Sequence, residues 1–124
     1  MPNRTILIAD DEPDLVEMLK LKFESEGFHV LEAYNGEQAL EEMKKQKPDL
    51  IVLDIMMPKI NGYQVCREMK KDPNLKHIPV VMFTAKAQEA DRFWGLEVGA
   101  DVYVTKPFEF EGLKKEIDRL LSKK

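Results

Sequence analysis

Four places in the chain carry residue types that could act together. Asp10-Asp11-Glu12 follows the apolar run Thr5–Ala9, and Asp54 follows Leu50–Leu53. Thr84 follows Val80–Phe83, and Lys106 follows Val102–Thr105. Carboxylates set side by side repel one another at neutral pH unless a cation sits among them. Oxygen donors without a histidine or thiol favour Mg2+, which is held by carboxylates, water and substrate phosphate. Lys106 offers a compact positive charge for a carboxylate or phosphoryl oxygen, and Thr84 a hydroxyl donor. This is the equipment of phosphoryl transfer, in which positioning and charge neutralisation dominate. A carboxylate can itself be the nucleophile and form an acyl phosphate. Taken singly, each residue has a plainer use: Asp-Asp-Glu ahead of a helix serves its N-terminus, and Thr84 and Lys106 suit a turn and a solvated surface. Their joint occurrence, one group after each of four apolar runs, is what carries the reading.

The elements that must position these groups follow from two hydrophobic patterns. Near-continuous apolar runs at Thr5–Ala9, Leu50–Leu53 and Val80–Phe83 suit strands buried on both faces, with weaker candidates at Phe28–Ala33 and Val102–Thr105. Between them lie segments of helical spacing. Leu15, Met18, Leu19, Leu21 and Phe23 mark the first, with Pro13 in its first turn and Gly27 past its end. Ala39, Leu40 and Met43 mark the second, from Asn35-Gly36 to before Pro48; Val65, Cys66 and Met69 the third, ending before Pro73. Phe93, Leu96 and Val98 mark the fourth, closed by Gly99, and Leu113, Ile117, Leu120 and Leu121 the fifth. Five strand–helix units predict an α/β fold with a five-stranded parallel sheet and helices on both faces. In the flavodoxin-like strand order 2-1-3-4-5, the carboxyl ends of strands one, three, four and five would converge on one pocket.

Composition narrows the classes. The 124 residues suit one domain, 1–124. A net charge of −4 disfavours direct nucleic-acid contact and an anionic membrane surface. The longest apolar runs fall far short of the roughly 20 residues of a membrane span, and the start carries no signal-peptide pattern. One cysteine, Cys66, permits no internal disulfide and no cysteine-built zinc site, and a reducing cytoplasm is expected. Cys66 falls at a helical core position, and His29 and His77 have no ligand partner nearby in sequence.

The stretches Ile6–Glu12, Pro48–Pro58, Asn61-Gly62, Val80–Ala85 and Gly99–Phe108 together resemble the receiver domain of bacterial response regulators, the two-component signalling family. The resemblance spans essentially the whole chain and fills all five marker positions. It implies that Asp54 is the phosphoacceptor for a sensor histidine kinase. It implies that Asp10, Asp11, Asp54 and the backbone carbonyl of Met56 hold Mg2+, and that Lys106 and Thr84 contact the phosphoryl group. Tyr103 would be the aromatic that couples Thr84 to the outer face built from helix four, strand five and helix five, and Lys106-Pro107 would be cis. Met56 and Lys86 stand at positions that tune phosphoryl lifetime in the family. An apolar Met56 orients no attacking water, so a long-lived acyl phosphate is expected.

Departures matter too. DNA-binding relatives often carry a basic residue where this chain has Trp94 and a second acid where it has Val102, which weakens the case for their charged dimer interface. Of the neighbours Phe93 and Trp94, one is expected to enter the core, and Met56 and Met57 are expected to pack. The segment order leads to the expectation of a stand-alone module, monomeric or dimerising on phosphorylation. It would act through a downstream target or phosphotransfer protein, without being an enzyme on a released metabolite. Two other classes fit less well. A dehalogenase-type phosphatase needs a second aspartate at the Met56 position. A flavodoxin-type electron carrier needs a Ser/Thr/Gly-rich phosphate loop where Asp10-Asp11-Glu12 stands. A receiver degenerated to a scaffold would not keep the full set of site residues.

Overall fold

The computed structural model describes residues 4–85 and 88–122. Its elements alternate as the apolar runs require: β1 (Thr5–Ala9), α1 (Pro13–Ser25), β2 (His29–Ala33), α2 (Gly36–Lys45), β3 (Leu50–Leu53), α3 (Gly62–Lys71), β4 (Val80–Thr84), α4 (Glu89–Glu97), β5 (Val102–Thr105) and α5 (Phe110–Ser122). The five strands form one parallel sheet in the order β2-β1-β3-β4-β5, the order expected from the sequence. β1 lies between β2 and β3, with Ala9 opposite both Ala33 and Leu53. Thr84 pairs with Thr105 at the far side of the sheet.

Strand side chains alternate between two cores. Leu7, Ala9, Ile51, Leu53 and Met82 pack with Ala39 and Met43 of α2 and Val65, Cys66 and Met69 of α3. Ile6, Ile8, Val52, Val81 and Phe83 pack with Val16, Leu19 and Phe23 of α1 and Leu113, Ile117 and Leu121 of α5. Helix starts follow local chemistry. The side chain of Asn35 accepts from Gln38 N at 2.9 Å, and Asn61 and Gln64 exchange bonds at 3.0 Å in both directions.

Three core assignments from the sequence are corrected. Leu21 is exposed on α1, because Val16, Leu19 and Phe23 already define its buried stripe. On α4, Phe93, Trp94 and Leu96 are 58%, 57% and 47% exposed, so neither aromatic enters the core. The helix instead faces inward through Asp91, Gly95 and Val98, spaced i, i+4, i+7. A Cβ on Gly95 would come within 2.7 Å of the Tyr103 ring, so only a glycine lets α4 sit this close. Met57 is buried as expected, but the Met56 side chain points outward.

The ring of Phe23 lies edge-on to Phe28 and 4.9 Å from Phe110 in the α1–α5 core. Phe23→Ala is expected to cost about 3–5 kcal/mol in urea unfolding. Leu21→Ala on the same helix should cost under about 0.5 kcal/mol. A comparable loss for both would show that the buried stripe of α1 is misassigned.

Candidate functional site

The carboxyl ends of β1, β3, β4 and β5 meet at one edge of the sheet. Asp10 continues β1 and donates its backbone N–H to Ala33 O at 3.1 Å. Asp54 continues β3 and donates to Ala9 O at 2.9 Å, which locks its Cα beside the end of β1. The chain then turns sharply back, and Gly62 N bonds Ile55 O at 2.9 Å. A Cβ on Gly62 would collide with the Asp54 carbonyl, so glycine lets α3 begin directly against the Asp54 loop. Lys106 continues β5, donates its backbone N–H to Thr84 O at 2.8 Å, and precedes a cis bond to Pro107.

Side chains complete the site. Lys106 Nζ lies 2.8 Å from Asp10 Oδ2, 2.8 Å from Glu12 Oε1 and 3.5 Å from Asp54 Oδ2. The same ammonium lies over the ring of Phe83, 5.2 Å from Nζ to the centroid. Asp10 Oδ1 accepts from Glu12 N at 3.0 Å, and Asp54 Oδ1 from Met56 N at 3.3 Å. Asp10 and Asp54 are almost wholly buried, whereas Asp11 and Glu12 are exposed. Asp11, Glu12, Asp54, Met56, Ala85 and Lys106 line an open cleft of about 280 Å³. Thr84 is buried at the end of β4, directly before Ala85 of the cleft wall.

The electrostatics follow from this crowding. Burial pushes the Asp10 carboxyl above the usual range, Lys106 and the Glu12 N–H pull it back, and Asp54 adds to the rise. Burial opposes the charge on Lys106, but bonds to Asp10 and Glu12 and the field of Asp54 outweigh it and hold the ammonium well above its ordinary value. One lysine thus faces carboxylates from Asp10, Glu12 and Asp54, with Asp11 beside them. Carboxylate oxygens of Asp10, Asp11 and Glu12 all lie within 4.8 Å of one another. An excess of hard oxygen donors over positive charge, open to solvent on one side, fits a hard divalent cation such as Mg2+.

Away from the cleft, Tyr103 lies inward, 6% exposed. Its phenol shares a hydrogen bond with Tyr63, whose hydroxyl donates to Asp91 O at 3.1 Å. Burial foremost pushes the pKa of both phenols up and so disfavours their ionisation. Arg92 packs on the Tyr103 ring at 5.4 Å and donates to its carbonyl at 3.5 Å. Tyr103 therefore meets α4 through Gly95, Arg92 and, by way of Tyr63, the Asp91 carbonyl.

The sequence pattern of the response regulator receiver domain matches residues 6–118. The chain belongs to that family. As a receiver domain it is 41% identical over 119 residues to the alkaline phosphatase synthesis transcriptional regulatory protein PhoP of Bacillus subtilis, covering 96% of this chain and 49% of that protein. The chain spans about half the length of the curated relatives it matches. A putative response regulator from Chloroflexus aurantiacus superposes with a TM-score of 0.92 at 35% identity, covering 98% of this chain and 99% of that one. The response regulator protein TrrA from Thermotoga maritima, solved in complex with Mg2+–BeF, superposes at 0.84 with 36% identity, covering 94% and 98%. The receiver is a signalling domain of two-component systems.

Of the residues singled out in the sequence, Lys106 contacts both Asp10 and Asp54, Asp11 and Met56 stand on the cleft wall, and Thr84 is buried next to Ala85 of that wall. Lys86 falls outside the described residues. Two participants were not singled out. Glu12 was read only as part of an acidic run, although a third carboxylate beside the Asp10-Asp11 pair was a signal. Tyr63 follows the Asn61-Gly62 cap, and nothing local marks it as the partner of Tyr103. Cys66 is core as expected: burial pushes its thiol up to about 11, and Sγ lies 3.3 Å from Val98 O. His29 and His77 are solvated. Among the described residues no helix is long and apolar enough to cross a membrane.

Removing the ammonium should expose the repulsion it screens. Lys106→Met is expected to lower stability by about 1–3 kcal/mol near neutral pH, because Asp10 and Asp54 lose their cation. Asp10 titrates above its unfolded value in the fold, so its neutral form is favoured there. The penalty is therefore present at neutral pH and shrinks as pH falls through the raised Asp10 value. Urea unfolding of both proteins from neutral to mildly acidic pH measures it, and a penalty that grows on acidification would contradict the charge balance described.

Proposed function

We propose that Asp54 accepts a phosphoryl group from a phosphohistidine of a sensor histidine kinase. The observation that carries this is the placement of Asp54: a carboxylate only 4% exposed, at the floor of an acidic cleft, with Lys106 reaching it and Asp10. In the reaction one Asp54 oxygen attacks phosphorus, the phosphorus–nitrogen bond breaks, and the imidazole leaves with its electron pair and takes up a proton. The loop after β3 supports the nucleophile, since Met56 N donates to Asp54 Oδ1 and leaves Oδ2 on the Lys106 side. Lys106 supplies positive charge to the incoming oxygens.

Asp10, Asp11, Asp54 and the carbonyl of Met56 are the groups that would hold Mg2+, which when bound supplies further positive charge to the phosphoryl oxygens. Its presence beside beryllofluoride in the TrrA complex supports that reading. Met56 turns its side chain to solvent and brings no polar group to orient a water, which favours a long-lived acyl phosphate; Lys86 is the second tuning position.

The product adds about −1.5 to −2 charges and three strong acceptors at the cleft floor. Thr84 turns its hydroxyl to those acceptors, and Tyr103 follows into the space Thr84 leaves. Because α4 rests on the Tyr103 ring through Gly95, this movement shifts the α4–β5–α5 face. Phe93 and Trp94, stacked edge to face at 5.9 Å and largely exposed on that face, then meet a downstream target or phosphotransfer protein. The domain acts in the cytoplasm, as a monomer or a phosphorylation-dependent dimer. It makes no direct contact with nucleic acid and performs no chemistry beyond its own phosphorylation and slow dephosphorylation.

Incubation with acetyl phosphate and Mg2+, followed by intact mass, tests the reading. One phosphoryl group should be gained, with no gain when Mg2+ is chelated before the donor is added and none in Asp54→Ala. Met56→Asn should gain it and lose it faster on standing. Phosphorylation that persists in Asp54→Ala would overturn the assignment of the nucleophile.

A further inference from the structure

We infer that Glu12 is a positioning residue that holds Lys106 in the unphosphorylated cleft and must release it when a phosphoryl group arrives. The inference rests on the phosphoacceptor reading and names one control on it.

An ammonium has three N–H donors. Lys106 has three carboxylate acceptors within reach, Asp10 and Glu12 at 2.8 Å and Asp54 at 3.5 Å. The lysine is thus fully engaged, and its two short contacts lie away from Asp54. A phosphoryl oxygen on Asp54 inherits the donor now 3.5 Å from Asp54 Oδ2, but draws the ammonium into a short contact only if one of the two acceptors at 2.8 Å gives way. Asp10 is a poor candidate, since its side chain is 1% exposed and its Oδ1 is fixed by the Glu12 N–H at 3.0 Å, which leaves it no room to swing away. Glu12 is 62% exposed, against 15% for Lys106, so water replaces its lost bond at once.

A second feature shows that Glu12 is not spent elsewhere. It is the N-cap residue of α1, in extended conformation with Pro13 following, yet its side chain makes no bond to the helix. A shorter aspartate at that position would accept from its own first turn, whereas the longer glutamate side chain is free to reach elsewhere. Here it turns away and meets a lysine 94 residues distant in sequence. Glu12 therefore competes with the phosphoryl group for the same donor, and its reach sets how strongly.

The test uses the full chain and beryllofluoride as phosphoryl analogue. Bound analogue is measured by fluorine NMR at a Mg2+ concentration saturating for each protein. Glu12→Ala removes both reach and charge. Glu12→Asp keeps the charge but is one methylene too short for the contact. Both variants should bind beryllofluoride roughly two- to five-fold more tightly than the unaltered chain, with unchanged urea midpoints. Wild-type affinity in Glu12→Asp with tighter binding in Glu12→Ala would show that charge alone acts and overturn the positioning role. Unchanged or weakened binding in both variants would also overturn it, the weakened case marking Glu12 as a support of the occupied site. No analogue binding by the unaltered chain would overturn the phosphoacceptor reading, and this inference with it.

Discussion

Lys106 Nζ sits 2.8 Å from Asp10 Oδ2 although the two residues are 96 apart in sequence and their strands are separated by β3 and β4. That contact forms only when all four strands end at the same level. The rest of the structure can be understood from this constraint. Short β-branched and aliphatic runs give strands of nearly equal length, helical crossovers return the chain to the same edge, and each strand therefore delivers its next residue to one place. The charges delivered there do not cancel, because one ammonium faces several carboxylates. An unbalanced acidic cleft carries a cost to folding, and under the proposed function it is also what would prepare the site for a cation and for a phosphoryl group bearing its own charge.

The connection outward runs through small residues at close contacts. Gly62 lets α3 start against the Asp54 carbonyl, and Gly95 lets α4 rest on Tyr103. Larger residues at either place would push a helix away from the site. α4 buries little else, so its position depends on the aromatic ring beneath it, whereas α3 and α5 are fixed by Val65, Cys66 and Met69 and by Leu113, Ile117 and Leu121. On the proposed reading, a helix held in this way would respond to a change at Tyr103 while its neighbours keep the sheet in place.

Most of this was legible in the sequence because strands buried on both faces leave long apolar runs and because acidic residues rarely follow such runs without a purpose. β1, β3 and β4 are accessible in that way, while the strand order and the meeting of Asp10, Asp54 and Lys106 follow only once a flavodoxin-like order is assumed. α4 was misjudged for a physical reason: periodicity assigns large apolar residues to the core, and here a glycine lies against the core while Phe93, Trp94 and Leu96 face water. Leu21 failed by the same rule on a helix whose inner stripe was already full. Glu12 and Tyr63 were missed because their roles depend on partners far along the chain, Lys106 and Tyr103, and no local pattern encodes a long-range pair.

Under the proposed function the strand-end cleft and the α4 surface form one coupled unit through Tyr103. Backbone amide NMR of the chain in Mg2+, recorded without and with beryllofluoride, measures this most directly. The account predicts the largest shifts at the ends of β1, β3, β4 and β5 together with α4 around Gly95, and small ones in the outer turns of α2 and the middle of α5. Shifts confined to the cleft, with α4 unmoved, would contradict it.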